Sequence, residues 1–175
     1  EALFASIVEP HAALLKSKYI DAHINFANLP EEKQPEHLGV ESKDYIDWMV
    51  DYICCNRKPV KLLLCKSEGT SYENFLHSLI EIEVESTIRY LKTLQHLGYD
   101  APDLNPSLCH ILASGMIGGI FEIVIHDIPK SQAIKDVEHL RSFLYSRLVK
   151  AVKFLVVNII KGLYPYYFSQ LVSFS

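Results

Sequence analysis

The sequence predicts an all-α protein, a multi-helix bundle, on three observations. Apolar residues recur at spacings of three and four over long stretches, the period of one helix face. Boundary residues stand where those stretches begin and end, in "TSYE", "LGYDAP" and "LNPSL". The remaining punctuation divides the chain into helices and little else.

The first helix is expected from Ala2 into the twenties. Leu3, Phe4, Ile7 and Val8 open its apolar side, Tyr19, His23 and Phe26 continue it, and Pro10 is expected to kink it. No residue before Leu3 serves as an N-cap, so the chain reads as beginning inside a helix, with residues expected upstream. "NLPEEKQPEHLGVES" carries two prolines, a glycine and few apolar residues, and reads as a loop. Ser42 then caps a helix with a Tyr45, Ile46, Met49, Val50, Ile53 stripe, flanked by Trp48 and Tyr52 and ending before Pro59. "VKLLLCKS" is read as a short helix because its surroundings are helical.

Thr70 and Glu73 have capping-box spacing and are expected to start a long helix that runs to Leu97, where Gly98 suits a left-handed stop. Its apolar positions cover more than half its circumference, which places it centrally, with a solvated strip at Asn74, Glu81, Glu85, Arg89 and Lys92. Glu83 falls on the apolar side, beside Leu76, Leu79, Ile80, Thr87 and Tyr90. A carboxylate there needs a partner, a ligand or a raised pKa, because an unpaired buried charge costs several kcal/mol.

Asn105 and Pro106 open the next helix as N-cap and first residue. The stretch that follows is almost wholly apolar and holds Gly115, Gly118 and Gly119. Each interior glycine costs about 0.5 to 1 kcal/mol relative to alanine, so a second helix is expected to come close there. His110, Ser114, Glu122 and His126 form one polar stripe. The chain holds no Glu-x-x-His and no His-Glu-x-x-His, so the stripe reads as a hydrogen-bonded seam and no metal is expected. From Ser131 a last helix carries the seam Ala133, Val137, Leu140, Leu144, Leu148, Ala151 and Leu155. Together the two last helices offer more apolar surface than the rest of the chain needs to cover, so part is expected to meet another chain.

Composition bounds what such a bundle does. The 175 residues are 49% hydrophobic, enough for one core without disulfides or metal. Seventeen basic against twenty-one acidic residues give a net charge of −4, which argues against this chain gripping a polyanion. Cys54, Cys55, Cys65 and Cys109 show no metal or redox spacing and read as buried, reduced thiols of an intracellular protein. The C-terminal "AVKFLVVNIIKGLYPYYFSQLVSFS" is interrupted by Lys153, Lys161, Gly162 and Pro165 and falls short of the ~20 apolar residues a membrane span needs. Residues 1–155 therefore read as one helical domain and 156–175 as an apolar, aromatic tail of unassigned role.

Over roughly residues 1 to 150, "EALFASIVEP", "VKLLLCKSEGTSYENF", "LQHLGYDAP" and "SGMIGGIFEIVIHDIPKSQAIKDVEHLRSFL" resemble, in order and wording, the regulatory domain of TetR-family transcriptional regulators. The resemblance implies a homodimer whose last two helices form a four-helix bundle with their partners. It also implies a small-molecule effector, cytoplasmic location, and DNA contact through a helix-turn-helix domain absent from this chain. Leu112, Met116, Gly119, Leu140, Leu144 and Leu148 are the expected dimer positions. Trp48, Tyr52, Phe75, Glu83, Thr87 and Tyr90 supply the expected pocket, closed by Tyr19, His23 and Phe26; Glu83 would favour a cationic or hydroxyl-bearing ligand.

The rival reading is a helical carrier of a small molecule or lipid, or a helical enzyme. Against the enzyme, the chain has no Gly-rich phosphate loop, nucleophile elbow or spaced acid-base pair, so no catalytic residue and no cofactor is expected.

Overall fold

The computed structural model describes residues 2–142, the side chain of Glu41 excepted. The described residues are helical, with no strand among them: α1 Ala2–Ala27, a short 3-10 turn Glu31–Lys33, α2 Gln34–Cys55, α3 Arg57–Cys65, α4 Phe75–His96, α5 Pro106–Ile125, and α6, helical over 130–142. Leu144, Leu148 and the 156–175 tail lie outside the described residues.

In α1 the buried side is Val8, Ala12, Leu15 and Tyr19, a three-and-four repeat, and the helix stays continuous through Pro10. Leu3 and Ile7, expected on that side, are exposed. The expected loop at 28–42 is mostly helix: the Glu31–Lys33 turn runs straight into α2, eight residues before the expected cap at Ser42. Two physical facts explain the earlier start. Pro35 sits in the first turn of α2, where its missing N–H has no helical partner to lose. Gln34, buried, donates through Nε2 to the carbonyl of Leu29 at 3.1 Å and so ties α2 to the end of α1.

Thr70 and Glu73 form a local turn instead of starting α4. The Thr70 hydroxyl accepts from the Tyr72 N–H at 3.2 Å, Glu73 accepts from the Gly69 N–H at 3.0 Å, and α4 begins at Phe75. Its C-terminus matches expectation. Gly98 has φ +83°, with Gly98 N–H bonded to Gln95 O at 3.0 Å and Tyr99 N–H to Leu94 O at 2.9 Å, the two bonds of a Schellman stop. Asn105 caps α5 through its side chain, accepting from Leu108 N–H at 2.9 Å. A second Schellman stop closes α5, with Asp127 at φ +53° in the place glycine usually takes.

The α4–α5 pair is the most extensive helix contact, and α1 lies across α2, α3 and α4. Phe121, Ile117, Ile120, Ile123 and Val124 of α5 meet Leu79, Leu15, Met49, Ile53 and Leu63 in the core. α5 is long and apolar enough to cross a membrane by length and composition, with mean hydropathy 1.9 over an 18-residue window. Its buried face belongs to this core; Leu108, Ile111 and Leu112 are exposed. The start of the α6 seam also turns inward, since Ala133 and Val137 are buried in the same core. Among the cysteines only Cys109 is buried; Cys54 is half-buried, and Cys55 and Cys65 are exposed, against the expectation of four buried thiols. Burial in the α2 stripe stops at Ile53, and each exposed thiol is the last residue of its helix.

Candidate functional site

Polar residues at helical spacing on α1 and α4 converge on one carboxylate. Tyr19 and His23 are one turn apart on α1, and Glu83 and Thr87 one turn apart on α4. The Tyr19 hydroxyl donates to Glu83 Oε2, His23 Nε2 lies 3.3 Å from the same oxygen, and the Thr87 hydroxyl donates to Oε1 at 3.4 Å. Glu83 keeps 20% side-chain exposure. Burial alone would raise its carboxyl. The hydrogen bond and charge of His23, then the hydroxyls of Tyr19 and Thr87, outweigh burial and hold it below the ordinary carboxylate range. Burial and then the Glu83 charge push the Tyr19 phenol well up, and the same causes raise Tyr45.

This carboxylate lines a cavity of about 180 Å³. Tyr19, Ala22, His23 and Phe26 of α1 form one wall; Leu38, Ser42, Tyr45, Ile46 and Met49 of α2 form a second. Met116, Ile117 and Ile120 of α5, with Arg141 of α6, complete it. The walls are chiefly apolar, with Glu83, His23, Ser42 and Arg141 as polar points, the mixture expected of a small-molecule site. An aromatic ladder runs outward from it. Tyr19 meets Tyr45 at 5.3 Å between ring centres, Tyr45 meets Trp48 at 5.6 Å, Trp48 stacks on Tyr52 at 5.4 Å, and the Tyr52 hydroxyl is 2.7 Å from His11 Nδ1.

Of the six residues expected to form the pocket, Glu83 lines the cavity. Thr87 holds Glu83, Tyr90 packs edge-on against Phe26 at 5.4 Å, and Trp48 and Tyr52 belong to the ladder behind Tyr45. Phe75 is elsewhere, buried against Phe121. Tyr19, His23 and Phe26 stand at the wall as expected. Leu38 and Ser42 were missed because their segment reads as a loop, and no local pattern marks Arg141.

Among the expected dimer positions, Leu112 is exposed, whereas Met116 lines the cavity of its own chain. A Cβ placed on Gly119 would stand 3.0 Å from Leu140 Cδ2, so these two pack against each other within the chain. Gly115 and Gly118 have no such neighbour within 4 Å. The polar stripe of α5 splits into two pairs, His110 with Ser114 at 3.3 Å and Glu122 with His126 at 2.8 Å. His110 also reaches α4, where it meets Glu81 and His77.

No family model matches the chain, and no curated protein or solved structure matches it.

Proposed function

We propose that the chain is the effector-sensing and dimerisation domain of a TetR-like transcriptional regulator, cytoplasmic and without catalytic activity of its own. A small molecule held in the cavity would bias the placement of α1, and with it the distance between two DNA-reading domains carried outside this chain. For this to act as a switch the ligand must prefer one placement, and about 1 to 3 kcal/mol of coupling is the usual range.

The observation that carries the reading is the division of α5 between two tasks. Met116, Ile117 and Ile120 wall the cavity, while Leu108, Ile111 and Leu112 leave a separate apolar strip facing outward beside Gly115, with Ile111 65% exposed. Paired with its equivalent in a second copy, that strip would be covered isologously, and the glycine would let the helices approach. A carrier has use for the cavity but none for the strip. Four of the wall residues also come from α1, the helix that the resemblance places next to the DNA-reading domain.

Sedimentation tests this directly. The chain is expected to run as a dimer at micromolar concentration, and Ile111→Glu to shift it to monomer with its helical circular dichroism intact. A wild-type chain that remains monomeric at high concentration overturns the reading.

A further inference from the structure

Apart from the cavity, whose lining includes none of them, three side chains with metal-ligating atoms meet between α4 and α5. His77 and Glu81 lie one turn apart on α4, and His110 comes from α5. Glu81 Oε1 is 3.2 Å from His110 Nε2 and 3.6 Å from His77 Nε2, the two imidazole rings are 5.5 Å apart, and all three ligand atoms lie within 4.8 Å of one another.

We propose that His77, Glu81 and His110 form a binding site for a late first-row divalent cation, with Zn²⁺ the expected occupant. Four-coordinate zinc with bonds of about 2.0 to 2.1 Å holds neighbouring ligand atoms about 3.3 Å apart. The Glu81–His110 edge already has that spacing, the Glu81–His77 edge is slightly longer at 3.6 Å, and the third is within 4.8 Å, so small side-chain rotations bring all three to an ion. Two imidazole nitrogens and one carboxylate oxygen select zinc over magnesium or calcium, which take oxygen ligands.

The site has outer support as well. Ser114 Oγ is 3.3 Å from His110 Nδ1, so the ring is held by its other nitrogen and presents Nε2 to Glu81. The three side chains keep 59%, 48% and 40% exposure, which leaves the fourth position to water or an incoming ligand. Because the donors come from two helices, the bound ion would staple α4 to α5. Nothing in this proposal draws on the cavity or on the regulatory reading.

Titration of the purified chain with Zn²⁺, followed by calorimetry and with Co²⁺ as a visible probe, tests it. One equivalent is expected to bind, with the absorption of low-coordinate Co²⁺ and a rise in Tm. His77→Ala and His110→Ala should each weaken binding by at least tenfold, and Ser114→Ala by about tenfold, the lower end for loss of an outer partner. His126→Ala, which removes the separate pair with Glu122, should leave it unchanged. His77 and His126 are exposed and His110 and Ser114 half-buried, and circular dichroism checks that each variant is folded. Failure of the wild type to saturate at one equivalent, or wild-type affinity in the His77→Ala or His110→Ala chain, overturns the proposal.

Discussion

Arg57 donates through Nη2 to the carbonyl of Ile128 at 2.7 Å, while its Nη1 donates to Ile123 O at 2.9 Å. The second carbonyl is also the one that accepts Ile128 N–H in the stop of α5. One guanidinium from α3 therefore clamps the corner between α5 and α6 on both sides. Lysine has no fork with which to reach two carbonyls.

Arg57→Met is expected to lower stability by about 2 to 3 kcal/mol, since hydrogen bonds made by charged groups are worth roughly 1.5 to 3 kcal/mol. Arg57→Lys should recover less than half of that. Urea unfolding midpoints measure both, and a methionine variant as stable as the wild type would show that the corner holds without its clamp.

The Glu83 cluster makes a pH prediction. A carboxyl held below its unfolded value of about 4.3 adds stability that is complete above that value and is lost as pH falls through the folded one. Glu83→Gln is therefore expected to cost about 1 to 3 kcal/mol at pH 7. The cost should shrink as the solution is acidified below pH ~4.3. Chemical unfolding across that range checks the sign; a deficit that stays constant into acid assigns the effect to shape and not to charge.

Two glycines should respond differently to a side chain. Gly98→Ala puts a Cβ into open space, so its expected cost of about 1 to 2 kcal/mol comes wholly from the left-handed backbone. Gly119→Val meets Leu140 instead and is expected to cost about 1 to 3 kcal/mol by overpacking. A Leu140→Ala background should relieve the second and not the first, as read by thermal unfolding of the double variants.

Ligand chemistry at the cavity is testable with simple probes. An apolar cavity of about 150 Å³ admits benzene, so a volume near 180 Å³ suits a single substituted ring. Trp48 is the only tryptophan and packs against Tyr45 of the cavity wall, so its fluorescence should report occupancy. Benzylamine is expected to bind more tightly than toluene, and Glu83→Gln to weaken benzylamine alone by about tenfold, or ~1.4 kcal/mol. Equal responses to both compounds in both chains would remove the carboxylate from recognition.

What was legible in the sequence was mostly local chemistry. Gly98, Asn105 and Pro106 act at the positions their types require, because a helix end is decided by a few neighbouring atoms. Pro35 misled in the other direction: a proline in a polar stretch reads as a breaker, yet the first turn of a helix accepts it, and the hydrogen bond from Gln34 back to Leu29 that accompanies it has no recognised sequence signature. Thr70 and Glu73 likewise made their bonds within a turn. Periodicity located the buried face of α5 and, through Ala133 and Val137, the start of that of α6, but was silent on which side chains meet within the chain, where Met116 lines the cavity and Gly119 packs against Leu140. Glu83 was legible as an anomaly on its helix. His77, Glu81 and His110 were not, because their meeting depends on how α4 and α5 are packed.

Pro10 leaves α1 one rung short. Its ring nitrogen has no proton to give the carbonyl of Ser6, so the rod possesses a compliant joint there without any break in its helical course. The joint sits one residue before His11, where the aromatic ladder from the cavity ends. Strain entering that ladder would thus reach the helix at its softest point, between the core anchor at Val8 and the anchors from Ala12 to Tyr19.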